Sequence, residues 1–164
     1  MDIAFKLKTE TIEQAGLVEP LCVDPQATVR EVLERLRQQR TGSVLVCRDG
    51  ALVGIFTERD ALRLMARMVH PETTERARGE LDAPIENLMV AFPVTLKADD
   101  TIGSAVLRMS SGGYRRMPIV NGGGRPVGVL QVSGIVHYLV QHFPKMVYNL
   151  PPVPHPTMHD REGP

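Results

Sequence analysis

Sliding the sequence past itself by 73 positions lays IEQAGLVEP (residues 12–20) on IENLMVAFP (85–93), matching Ile12 with Ile85, Glu13 with Glu86 and Pro20 with Pro93. Thr28 then falls on Thr101 and Arg35 on Arg108. One extra residue in the second turn, VNGGGRPVG against CRDGALVG, moves the offset to 74 and lays Val53-Gly54 on Val127-Gly128. A repeat of this length means two similar units, and it constrains the fold more than any local pattern does.

Each copy carries the same order of elements. A short apolar stretch (LCV; VTL) follows the proline, and then a Thr precedes an amphipathic run. In VREVLERLRQQ, Val29, Val32, Leu33 and Leu36 recur at helical spacing behind the N-cap Thr28. Ile102, Ala105, Val106 and Met109 keep that face in the second copy, where the glycines of SSGGYRR end the helix. SVLVC and ALVGIF, like MPIV and PVGVL, are too short for helices and predict strand hairpins around RDG and NGGGRP. ERDALRLMARMV and SGIVHYLVQHF close the copies as helices.

Strand, helix, strand, strand, helix, twice, predicts an α/β (α+β) fold. Each repeat is a small mixed sheet with helices on one face, and a pseudo-twofold axis packs the two through their open sheet faces. The chain divides into an N-terminal extension (1–11), repeat 1 (12–69), a polar connector (70–84), repeat 2 (85–143) and a Pro-rich C-terminal tail (144–164).

With 164 residues and 43% hydrophobic content, the chain can bury a shared core. Nineteen basic residues cancel nineteen acidic ones, so no overall field draws it to nucleic acid or an anionic membrane. Aromatic residues make up 4% of the chain, which argues against stacking on bases. No apolar run approaches a membrane span, and MDIAFKLKTE lacks a signal-peptide layout, so a cytoplasmic protein is expected. Cys22 and Cys47 lie in apolar stretches and are expected as small buried hydrophobes, not as a disulfide.

The copies differ at one corner. GIFTERD (54–60) has Thr57 and Asp60 ahead of its helix; GVLQVSG (128–134) has Gln131 and Gly134 in their places. TERD is nearly a capping box, with Asp for the usual Glu or Gln. The same geometry also suits a nucleotide, because a helix N-terminus offers free N–H groups to a phosphate and a carboxylate one turn in can accept from ribose hydroxyls.

The ordered repeat resembles the cystathionine beta-synthase (CBS) domain in its tandem form, the Bateman module. RTGSVLVCRDGALVGIFTERD (40–60) and RRMPIVNGGGRPVG (115–128) carry the resemblance, which spans roughly residues 10–143. It implies a non-catalytic sensor that binds an adenine nucleotide (AMP, ADP or ATP) or S-adenosylmethionine between the repeats and signals to a regulated protein. It also implies a disc-like homodimer. Carried over residue by residue, it assigns Thr57 to phosphate and Asp60 to ribose. Ile55, Asn87, Met89, Tyr114, Arg115, Arg116 and Met117 would line the same cleft, with Arg115 or Arg116 facing the phosphates. The mirror cleft, around residues 128–134, 14–16 and 41–44, lacks the carboxylate and is expected to be degenerate. The alternative is a ligand-free dimerisation or interaction scaffold on the same fold.

Other signals are weaker. No nucleophile elbow, phosphate loop or placed carboxylate pair supports catalysis. Met65, Met68, Met89, Met109, Met117 and Met146 fall mostly on apolar faces and read as core residues, with Met89 the exception because its matched position borders the implied adenine pocket. His137 and His142 fall on different helix faces, and His155 and His159 sit among prolines, so no metal site is expected.

Overall fold

The computed structural model describes residues 2–144. The expectations for Met146, His155, His159 and nearly all of the tail therefore lie outside the described residues.

Helix α1 (Ile3–Thr9) is followed by a 3-10 turn (Ile12–Ala15), strand β1 (Cys22–Val23), helix α2 (Val29–Gln39), strands β2 (Ser43–Arg48) and β3 (Ala51–Thr57), and helix α3 (Glu58–Val69). Helix α4 (Thr74–Gly79) leads into short 3-10 turns, the second at Ile85–Asn87. The chain then runs through β4 (Val90–Ala91), α5 (Ile102–Gly112), β5 (Arg116–Val120), β6 (Pro126–Gln131) and α6 (Val132–His142).

Local chemistry sets these boundaries. Thr28 Oγ1 accepts from the Glu31 N–H at 3.2 Å, and Glu31 Oε2 accepts from the Thr28 N–H at 2.8 Å. This capping box starts α2 and stabilises it by about 1 kcal/mol. The β2–β3 hairpin turns on Asp49 and Gly50, with φ of 51° and 81°. Two successive positive φ values make the tight turn whose twist matches antiparallel strands. Gly113, at φ 66°, ends α5 as expected.

The first sheet has the order β1-β2-β3-β4, with β1 parallel to β2 and the other pairs antiparallel. The second is built on the β5–β6 hairpin, extended by a parallel bridge from Leu96 to Ile119 and an antiparallel bridge from Val18 to Val129. The two sheets are thus the same object, and their outer strands are exchanged. Val18, from the head of repeat 1, pairs with β6; β4, from the head of repeat 2, pairs with β3. The cores follow: Ile12 and Ala15 pack with Ile102, Ile119, Leu130 and Ile135, whereas Ile85 packs with Val32, Val44, Phe56 and Leu64. A repeat of sequence is not a unit of packing here, because each half completes the other's core. The open sheet faces meet through Leu45, Ile55 and Val129, with Leu52 and Cys47 against them.

Two expectations need correction. Cys22 is exposed and Cys47 only half-buried. Strand alternation turns Val23 into the helix-side core and leaves Cys22 on the other face at the sheet edge. Met65 is 56% exposed, because α3 carries two apolar stripes and buries the one through Ala61, Leu64 and Met68. The connector and N-terminal extension also have structure of their own: Ala77 of α4 is buried in the first core, and Ile3 and Leu7 of α1 pack on the second.

Candidate functional site: the corner between β3 and α3

β3 runs directly into α3 at Thr57, which has extended backbone angles (φ −124°, ψ 166°). This corner brings Thr57 and Asp60 together. Asp60 Oδ2 accepts from the Thr57 N–H at 2.9 Å and from the Thr57 hydroxyl at 2.7 Å. The carboxylate therefore supplies the reciprocal arm of a capping box, as the TERD pattern suggests. Its other oxygen lies 3.3 Å from Arg63, and its side chain is 12% exposed.

The hydroxyl proton is committed to Asp60 in this state. To donate to an anion, Thr57 must release that bond, and a hydroxyl donor arriving at Asp60 would replace it. Two polar groups that satisfy each other can exchange partners with a ligand at small net cost, since neither is left unpaired.

Arg116, the first residue of β5, reaches this corner from the other repeat. Its guanidinium lies across Gly42, where a β-carbon would collide with it, and Nη1 is 3.7 Å from Glu58 Oε2 in the first turn of α3. The Gly42 carbonyl accepts from the Glu58 N–H at 3.1 Å, which ties the loop before β2 to the same helix end. Arg116 Nε is buried without a hydrogen-bond partner. A cation and a helix N-terminus thus converge, and both favour an anion.

The remaining candidates divide. Met89 lies over Gly54 on the side of the first core, whereas Ile55, the next residue along β3, faces the other repeat, so the structure does not bring these two together. Ile55 is 8% exposed and belongs to the contact between the sheets. Asn87 is exposed at the end of its 3-10 turn. Met117 is 1% exposed, with its side chain in the second core. The Tyr114 ring lies back over Gly112. Arg115 is exposed, and its carbonyl accepts from the Val132 N–H at 3.0 Å, at the start of α6 rather than α3. Sequence reasoning missed Gly54 and Glu58. A glycine inside an apolar strand is the signal for close approach, and Gly54 is one.

The mirror corner is closed. Gly134 occupies the place of Asp60, and a β-carbon there would overlap the Ala15 carbonyl oxygen. α6 packs directly on the Ile12–Ala15 turn, whereas α3 makes no comparable contact with the Ile85–Asn87 turn. Leu17 covers Gly128.

The family model for the CBS domain matches residues 17–67 and 85–141. The chain belongs to the CBS-domain family. Among curated relatives of this CBS pair, an uncharacterised 17.7 kDa protein of Acidianus ambivalens is 22% identical over 79% of the chain and 73% of its own length. The CBS domain-containing protein CBSCBSPB5 of Arabidopsis thaliana is 28% identical over 84% of the chain, which spans only 24% of that protein. Among solved structures, CBSX2 in complex with AMP has a TM-score of 0.66 at 23% identity, covering 80% of this chain and 97% of that one. The CBS domain pair of MJ0100 in complex with 5′-methylthioadenosine and S-adenosyl-L-methionine has a TM-score of 0.67 at 19% identity, covering 81% and 97%. These likenesses establish the fold as a tandem CBS pair. No helix among the described residues is long and apolar enough to cross a membrane.

Proposed function

We propose that this CBS pair is a non-catalytic sensor that binds one adenine nucleotide, or a related adenosyl ligand, per chain at the corner between β3 and α3. The observation that carries the reading is the asymmetry of the two corners. One joins Thr57, Asp60 and Arg116 at a helix N-terminus; the other is filled by backbone at Gly134. The phosphate would take the α3 N–H groups, the Thr57 hydroxyl and Arg116. The ribose hydroxyls would donate to Asp60, and the base would lie against Ile55. The ligands named for CBSX2 and MJ0100 support the adenosyl class.

Binding shifts a conformational equilibrium only by the ligand's differential affinity for its states. Arg116 and Glu58 belong to different repeats, so a phosphate that draws Arg116 from Glu58 changes a contact between halves. That is the route we propose for relaying the signal to a regulated protein. We also propose a homodimer through the exposed stripe of α3, Leu62, Met65 and Val69.

The scaffold reading is favoured by one observation: Thr57 and Asp60 are already satisfied by each other. Isothermal titration with AMP, ADP, ATP and S-adenosylmethionine, on the parent chain and on Asp60→Ala, separates the two. Saturable binding near one ligand per chain, weakened at least tenfold by the substitution, supports the sensor. No binding by any of the four leaves Thr57 and Asp60 as a helix cap and supports the scaffold.

A further inference from the structure

Cys22 and Cys47 are separated by 24 intervening residues and α2, yet the sheet brings them together. β1 lies parallel to β2 with Cys22 opposite Leu45, and Cys47 is two residues further along β2. Alternation places residues two apart on the same face. That face is the one turned toward the other repeat, where Leu45 is buried and Cys47 packs beside it. The register between β2 and β3 shifts between Val46 and Cys47, so Cys47 sits at an irregularity of the strand. Cys22 is exposed at the sheet edge. No third His, Cys, Asp or Glu joins them in a metal-binding group among the described residues.

We propose that Cys22 and Cys47 form a reversible redox site, a dithiol that closes to an intrachain disulfide by exchange with a low-molecular-weight disulfide such as oxidised glutathione.

The exposed Cys22 thiolate attacks one sulfur of the small disulfide and displaces the first small thiolate. Cys47 then attacks the Cys22 sulfur of the mixed disulfide and displaces the second. Two cysteine thiols are oxidised, one small disulfide is reduced to two thiols, and the two cysteine protons end on the released thiols. The thiols differ in the way this order needs. The Cys47 thiol is pushed up to about 12, first by burial, then by a hydrogen bond with the Cys22 thiol and by the Cys22 charge. Cys47 is therefore a poor first nucleophile. Once Cys22 is in the mixed disulfide, two of those three causes are gone, so the first step prepares the second. Residues offset by two on adjacent strands have Cα atoms about 8 Å apart, beyond the ~7 Å that a disulfide spans without backbone movement, so closing the bond draws β1, a strand of two residues, along the hairpin that leads to the ligand corner. Reversible exchange of this kind is compatible with a reducing compartment, where lasting disulfides are rare.

The test uses the full chain and its Cys22→Ser and Cys47→Ser variants, each equilibrated with graded mixtures of reduced and oxidised glutathione, quenched with acid, alkylated and weighed intact. The parent chain is expected to lose two hydrogens without retaining glutathione, and digestion is expected to give one cross-linked peptide joining Cys22 to Cys47. Cys47→Ser is expected to accumulate one glutathione on Cys22, at least tenfold faster than Cys22→Ser acquires one on Cys47. Stable glutathionylation of the parent chain without closure would overturn the proposal. So would an interchain disulfide on a non-reducing gel, or no reaction at all.

Discussion

Gly134 lies against the backbone carbonyl of Ala15, at the position in the second repeat that Asp60 holds in the first. The missing side chain is therefore a packing requirement as well as a lost ligand group, because α6 sits on the Ile12–Ala15 turn only without a β-carbon there. Gly134→Asp forces backbone to move, and overpacking of this kind costs about 1–3 kcal/mol. A lower urea midpoint is expected, with ligand stoichiometry still one per chain. A second ligand bound by the variant would mean that the mirror corner can open.

Gly79 offers the opposite case. It sits at φ −62°, ψ −29° with nothing within 4 Å of a would-be β-carbon. Gly79→Ala restricts the unfolded chain without straining the folded one, and about 0.4–1 kcal/mol of stabilisation is expected. Urea denaturation followed by circular dichroism measures it; a loss of stability would mean that a β-carbon at the end of α4 meets a neighbour.

Glu58 and Arg116 face each other across the proposed phosphate position, 3.7 Å apart. The carboxylate neutralises part of the cation and repels each phosphate added to the ligand. Glu58→Gln is expected to tighten ATP more than AMP, by about 2- to 5-fold, the size of an exposed charge interaction of roughly 0.4–1 kcal/mol. Titration calorimetry at two salt concentrations checks this, since the gain must shrink as salt rises. An equal gain for both nucleotides would place the phosphates away from Glu58.

The repeat, the order of helices and strands, both hairpins and the Thr28 cap were legible in the sequence, since apolar period and turn residues encode them directly. The exchange of outer strands was not. Val18 and Val90-Ala91 are too short to carry a period, and the partner of each is in the other repeat. The exposure of Cys22 was legible in principle, because Val23 can point into the core only if its neighbour points away. At the site, Thr57 and Asp60 were readable because the corner is local in sequence. Arg116 was told from Arg115 only by the structure, which lays the Arg116 guanidinium across Gly42 and leaves Arg115 exposed, with only its carbonyl at the start of α6. For Met117 the sequence carried two readings, core packing and cleft lining, and the structure decides for the core: Arg116 before it reaches the site while its own side chain turns inward.

Leu62, Met65 and Val69 form a stripe on α3 that no other described residue covers, with exposures of 65%, 56% and 82%. Val132 and Val136 on α6 are exposed at 39% and 51%. If the α3 stripe is the dimer face, Met65→Glu buries an unpaired charge and is expected to weaken association at least a hundredfold, about 2.7 kcal/mol or more. The far-UV spectrum should be unchanged, because Met65 makes no core contact. Light scattering across a concentration series reads the result. A parent chain that is monomeric throughout, or a variant that dimerises equally well, would remove the α3 stripe from the interface.

The Tyr138 hydroxyl donates to the Glu10 carboxylate, which also pairs with Lys6 at 3.2 Å, and this network fastens the N-terminal segment to α6. Burial first, then the hydrogen bond to Glu10 and its charge, push Tyr138 from 10.0 up to about 12. Between these values the folded chain holds a proton that the unfolded chain has lost, so the Tyr138 contribution is complete below about pH 10 and falls as pH rises toward 12; Cys47, raised from 9.0 to about 12, adds a fall of the same sign from about pH 9. Glu10 shifts the other way: the Tyr138 hydrogen bond, opposed by desolvation and aided by Lys6, holds its carboxyl below 4.5. Its contribution is present above that value and is lost as pH falls through the folded one. Tyr138→Phe is expected to reduce the alkaline slope of stability between pH 10 and 12, leaving the share of Cys47, and to shrink the acid one, whereas Glu10→Gln should remove the Glu10 share of the acid slope and leave those of Glu34 and Asp82. Urea midpoints measured across pH on the three chains check this. An alkaline slope that Tyr138→Phe leaves undiminished would assign it to Cys47 and leave the Glu10 contact as packing alone.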